Sequence, residues 1–209
     1  MALDQWIEKT FPVITAPPSG AIDPPETHGQ RFVVAKDGLY REVSTPWLYA
    51  NLPIARVHGM STPFGAMEPS VQLRCGNPPR ELWSEFRDQA EKAMPNECAA
   101  VFIWCSASDT WRFEMRKMSL QRPDRVDYQE PSLCESEVAV VDIHSHGHYE
   151  ARFSARDDHD DAGGIKISAV LGRVGSQQTE ISLRLVCLDA MIPLNLDGET
   201  IVVRTGVLQ

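Results

Sequence analysis

No run in the 209-residue sequence approaches the roughly 20 apolar residues of a membrane span, and Met1-Ala2-Leu3-Asp4-Gln5-Trp6-Ile7-Glu8 lacks a signal peptide's basic start and apolar centre. The expectation is a protein of the cytoplasm with no membrane partner. Positive charge is also scarce. Lys and Arg number 20 against 29 Asp and Glu, a formal charge of −9 with a pI near 5.1, which argues against a nucleic-acid backbone or an anionic membrane as the main partner. Cysteine is limited to Cys75, Cys98, Cys105, Cys134 and Cys187, an odd number without a C-x-x-C pair. That pattern suits reduced core residues better than a disulfide frame or a cysteine zinc site. Internal repeats and low-complexity runs are missing too. What is present is a 43% hydrophobic fraction, enough for a sizeable core in one domain with an extension but too short a chain for two full domains.

Nine of the fifteen prolines fall at positions 12 to 69, which breaks up any long helix and predicts a loop-rich extension over residues 1–77. Within it, Arg31 to Lys36 and Leu39 to Val43 flank Asp37-Gly38 and predict a short hairpin turning there. Trp47 to Val57 can add a further short strand. His28 and His58 carry no motif and read as ordinary surface or turn residues. Pro78-Pro79 marks the break to a second region, 78–209. Leu82, Phe86, Ala90 and Ala93 then follow helical spacing over Arg80 to Met94. Strands are predicted over Ala99 to Cys105, Trp111 to Met118, Val138 to Ile143, Ile165 to Leu171, Glu180 to Leu188 and Thr200 to Leu208. Gln121 to Glu137 is polar, holds two prolines and reads as a loop or broken helix, a place for a substrate-facing insertion.

The chemistry concentrates between Asp142 and Asp161. The apolar run Val138 to Ile143 delivers His144 and His146 at its carboxyl end, and strand alternation puts both imidazoles on one face. Seven residues lie between His146 and Ser154, and Ser154-Ala155-Arg156-Asp157 has the form of an N-cap and first helical turn. A strand end and a helix start can thus aim two imidazoles and one carboxylate at one point. Two neutral imidazoles and a carboxylate form the three-ligand set of a catalytic zinc site, whose fourth position is left to water. The neighbouring carboxylates Asp158, Asp160 and Asp161 read as residues favoured by the positive helix N-terminus. His148 and His159 read as surface residues.

The spacing His-x-His, seven residues, Ser-x-x-Asp resembles the JAMM (MPN-plus, JAB) metalloprotease family at all four polar positions. That family also has a glutamate at the start of its core, and Met94 to Ile103 resembles this segment, with Glu97 lying 47 residues before His144 (144 − 97). The resemblance covers about residues 78–209. It implies an α+β (α/β) fold, a twisted mixed β-sheet flanked by helices. It further implies one zinc ion on His144, His146 and Asp157, Glu97 as general base and acid, and Ser154 as oxyanion donor. More narrowly, Asp142 to Gly147, Phe153-Ser154, Asp157 to Asp161 and the extension are similar to the protein A family of the bacterial PRTRC system. The implied function is a peptidase or isopeptidase of deubiquitinase type acting on a ubiquitin-like tail or conjugate. The implied partners are proteins like ubiquitin-activating and ubiquitin-conjugating enzymes.

Two positions depart from the family pattern. Gly147 stands where proline usually follows the second His, and Ala100 stands where glycine usually follows the Glu segment. The expectation is a less rigid ligand loop and an added methyl beside the site. A cupin reading draws on His144-x-His146-x-x-x-Glu150 but fails at its glycines. An amidohydrolase barrel would need far more than the 63 residues after His146 (209 − 146). A thiol nucleophile at Cys98 has no adjacent base or cation to activate it. The alternative from another class is a non-catalytic module of the same fold that binds a ubiquitin-like partner.

Overall fold

The computed structural model describes residues 3–20, 22–25, 27–57, 62–198 and 200–204. Two compact units succeed one another in the chain, with the division between Cys75 and Gly76. No helix among the described residues is long and apolar enough to cross a membrane.

The first unit corrects the expectation of a loop-rich extension. After α1 (Leu3–Thr10), five strands form one sheet in chain order: β1 (Val13–Thr15), β2 (Gly29–Ala35), β3 (Gly38–Ser44), β4 (Leu48–Arg56) and β5 (Ser70–Leu73). Its prolines fall between strands, except Pro53, which lies in β4 where the register shifts between Leu39 and Tyr40, a place that tolerates a missing N–H. The hairpin turns at Lys36-Asp37, one residue earlier than expected. Gly38 instead opens β3, opposite Ala35 and Arg56, where a Cβ would stand 2.0 Å from the Ala55 carbonyl oxygen. Val33, Ala35, Tyr40, Trp47 and Leu48 fill the core of this unit. His28 is exposed, and His58 lies outside the described residues.

The second unit holds α2 (Arg80–Ala93), β6 (Ala99–Cys105), β7 (Thr110–Met115), β8 (Met118–Arg122), β9 (Arg125–Tyr128), β10 (Glu137–Ser145), α3 (Ala155–Asp161), β11 (Ile165–Gly172), β12 (Glu180–Cys187), β13 (Ala190–Asp197) and β14 (Thr200–Val203). Seven of these strands form a mixed sheet in the order β14-β13-β12-β11-β10-β6-β7. The architecture is α+β and rich in strands. β10 and β11 run parallel, joined through α3, while the other pairs are antiparallel. The amphipathic α2 buries Leu82, Phe86 and Ala90, and Trp83 meets Phe102 edge-on at 4.9 Å. Phe102 is a face neighbour of Ala100, so α2 packs on the side of the sheet opposite His144.

Two elements differ from the expectation. Gln121 to Glu137 contains β9 and the end of β8, a hairpin whose two-residue turn is Pro123-Asp124, so this proline punctuates strands where the expectation is a loop or broken helix. β13 was hidden by Pro193 in its middle. That residue still offers its carbonyl to the Arg204 N–H at 3.1 Å, so the strand keeps one of its ladder contacts.

Candidate metal centre

β10 ends where the parallel pair presents its carboxyl edge, the usual place for ligands in such sheets. A bulge between Ala139 and Val141 sets the register against β6, so that Asp142 faces Val101 and His144 faces Ala99. Opposed residues share a face. One step further, the Cys98 N–H donates to Ser145 Oγ at 3.0 Å and the Ser145 N–H donates to the Cys98 carbonyl at 2.9 Å. Glu97 therefore falls opposite His146, on the face that carries His144. The Glu97 N–H also donates to the Arg122 carbonyl at 2.8 Å, which ties this residue to the β8–β9 hairpin.

The ligand atoms converge. His144 Nε2 lies 3.1 Å from His146 Nε2 and 3.2 Å from Asp157 Oδ1. Among the described residues, these three form the one cluster whose donor atoms all lie within 4.8 Å of each other. A tetrahedral zinc ion with bonds of 2.0–2.1 Å separates its ligand atoms by about 3.3 Å, close to both spacings. The donor set and its geometry fit the metal that the family resemblance implies. Burial, and then the charge of His144, lower the His146 pKa and favour the neutral, ligating imidazole.

Local structure aims the carboxylate. Ser154 caps α3 through a capping box: the Asp157 N–H donates to Ser154 Oγ at 3.3 Å, and the Ser154 N–H donates to Asp157 Oδ2 at 2.6 Å. The Ser154 hydroxyl also donates to Oδ2 at 2.6 Å. Oδ2 is thus occupied, and Oδ1 is left facing His144. Burial pushes the Asp157 carboxyl up, but the His144 contact and the Ser154 hydrogen bonds outweigh it, so its pKa sits well below the usual carboxylate range.

Glu97 is the contrasting group. It is 7% exposed and lines the same cavity of 320 Å³ as His144, His146 and Asp157, with no charged hydrogen-bond partner for its carboxylate among the described residues. Burial is the main cause that raises its pKa to about 7, with Asp157 and Asp124 adding to the rise and His144 opposing it.

Behind the cluster lies an ionic layer that spacing rules missed. Asp142 accepts from Arg116 Nη2 at 3.1 Å, Tyr128 Oη at 3.1 Å and Lys166 Nζ at 2.9 Å. Lys166 also reaches Asp161 Oδ1 at 2.7 Å, and Arg184 donates to Asp161 Oδ2 at 2.6 and 3.0 Å. Arg184 pairs with Asp158 as well and stacks on Phe153 at 3.8 Å. Asp158 and Asp161 are therefore anchors of α3 to the sheet: Asp158 also keeps its place in the first turn, whereas Asp161 closes the helix at its C-terminal end, which corrects the expectation of a helix N-terminus residue there. The missed signal was a lone charge inside each of three apolar runs, Asp142, Lys166 and Arg184, which must find partners when buried.

The departures from the family pattern also resolve. Gly147 has φ +53°, which proline's ring forbids, so the loop takes its own path and its carbonyl accepts from the Val174 N–H at 2.8 Å. Ala100 faces Ile143, on the side away from His144, so its methyl adds nothing to the site. Cys98 is fully buried and burial raises its pKa, which makes it a core thiol. His148 and His159 are exposed.

The mixed sheet, the β10–α3–β11 crossing and the two-histidine, one-aspartate cluster define a JAB-type domain. The chain belongs to the prokaryotic homologs of the JAB domain, whose family model matches residues 79–186. A domain of unknown function, DUF2016, matches residues 1–74. No curated protein matches the chain. The solution structure of protein DSY2949 from Desulfitobacterium hafniense is 15% identical over 60% of this chain and 86% of that one, with a TM-score of 0.33.

Proposed function

We propose that this protein is a zinc-dependent peptidase or isopeptidase of JAMM type that acts on a ubiquitin-like protein tail or conjugate. The observation that carries the reading is a buried Glu97 in one cavity with three convergent donors, His144 Nε2, His146 Nε2 and Asp157 Oδ1. A zinc ion held by these three supplies Lewis acidity, which brings the pKa of water to about 7. Glu97, itself near 7, takes a proton from water and returns it to the leaving amine, since a group poised near the working pH serves both transfers. Ser154 keeps Asp157 aimed in the conformation described, and a rotation of its hydroxyl toward the cavity makes it a donor to the developing oxyanion. The resemblance to the PRTRC protein A family supports partners like ubiquitin-activating and ubiquitin-conjugating enzymes, and the cytoplasm is the setting proposed for them.

Elemental analysis of purified protein tests the site: about one zinc per chain is expected, lost in His146→Ala. Glu97→Gln is expected to keep zinc while turnover of a ubiquitin-like fusion falls about 10²–10⁴-fold. Retained turnover in that variant overturns the mechanism. Partner binding without metal uptake moves the reading to a non-catalytic module.

A further inference from the structure

We infer that the metal-site cavity is one end of a longer channel, whose other end binds an extended segment of the substrate bearing acidic side chains. The inference rests on the hydrolase reading above. A second groove of 670 Å³ adjoins the first cavity, and Arg152 and Phe153 line both. Register puts both on one face of the sheet, where Arg152 and Phe153 join them beside α3. His144 and Asp142 share a face with Ser168 on β11, Ser168 with Arg184 on β12, and Arg184 with Pro193 on β13. The Arg204 N–H bonds to the Pro193 carbonyl, which places Arg204 at the far end of this row. Four strand spacings of about 4.8 Å separate β10 from β14, a reach of about six extended residues.

The two cavities differ in charge. Seven carboxylates and three arginines line the metal-site cavity, whereas the groove has Arg152, Arg184 and Arg204 and no carboxylate. Arg184 is neutralised by Asp158 and Asp161, so Arg152 and Arg204 set the groove's sign. Arg152 is 80% exposed and only 4.0 Å from its nearest carboxylate, Glu150. Arg204 is exposed and, among the described residues, donates only a long 3.4 Å bond to Asn195 Oδ1. Between them the floor is mixed, with Met191 36% exposed beside Pro193, Ser182 and Asn195. A basic groove without carboxylates, in a chain of net charge −9, selects an extended strand that carries carboxylates.

The test uses two fluorescein-labelled octapeptides with the same apolar residues, one carrying two glutamates and the other two lysines, read by anisotropy, with mass spectrometry for cleavage. Wild type is expected to bind the glutamate peptide about tenfold more tightly at low salt, with the preference shrinking as salt screens it. Arg152→Glu/Arg204→Glu should invert the preference, while Arg80→Glu/Arg87→Glu on α2 should leave it unchanged. Equal binding of the two peptides, no binding of either up to about 1 mM, or a preference untouched by the groove reversal overturns the inference. Charge-selective binding without cleavage counts against the hydrolase reading alone. Cleavage without charge selectivity counts against the groove alone.

Discussion

Asp142 and Glu97 are two buried carboxylates of the same domain in opposite circumstances. Asp142 accepts from Arg116, Tyr128 and Lys166, and although burial opposes it, the cations Lys166 and Arg116 bring its pKa below the usual range. Among the described residues no cation hydrogen-bonds to Glu97, and burial lifts it to about 7 against the weaker pull of His144 and Arg156. The contrast separates structure from chemistry: a carboxylate that holds elements together is saturated with donors, whereas one that can trade a proton near neutral pH is kept from them. The ionic layer joins β9, β10, β11, β12 and α3, and so fixes where α3 presents Asp157.

The strongest way to break this contrast is to discharge Asp142. Asp142→Asn leaves Arg116, Lys166 and Arg184 against Asp161 alone among the well-buried carboxylates, and the expected loss is about 3–5 kcal/mol in urea melts. Lys166→Met leaves two buried cations facing two buried carboxylates, so it should cost less than Asp142→Asn. The reverse order would show that the layer is not a balanced network.

The pH dependence sharpens it. The folded pKa of Glu97 lies above its unfolded value of 4.5, so its burial costs nothing below that pH and costs most above about 7. In chelator, Glu97→Gln should therefore gain up to about 3 kcal/mol over wild type as pH rises from 4.5 through 7, and no more beyond. Asp142 has the opposite sign. Its pKa is lowered from 3.8, so its contribution is present above that value and lost as pH falls through the lower folded pKa. A Glu97→Gln gain that does not vary with pH would remove the basis for the contrast.

The smallest effect concerns the cap. Ser154→Ala removes the N-cap acceptor and one donor to Asp157 Oδ2, for an expected loss of about 1 kcal/mol and a weaker hold on zinc. Unchanged zinc affinity by competition titration would show that α3 aims Asp157 without it.

Much of the second unit was legible because its signals are local. The 3.6-residue period of Leu82, Phe86 and Ala90, the alternation before His144 and the Ser154 cap each concern residues within one element. The first unit was less legible. Prolines between short strands look the same as prolines in loops until pairing is known, and Pro193 concealed β13 for the same reason.

The sequence by itself determined which residues carry donors and how near neighbours in the chain are spaced: His144 and His146 two apart, Asp157 one helical turn from its cap. Only the tertiary structure decided that Glu97, 47 residues earlier, shares their face, and that Asp142, Lys166, Asp161 and Arg184 become one layer. The physical reason is register. Strand side chains alternate, so the single bulge between Ala139 and Val141 settles which face each residue occupies, and a slip of one position would send His144 to the opposite side of the sheet from Glu97.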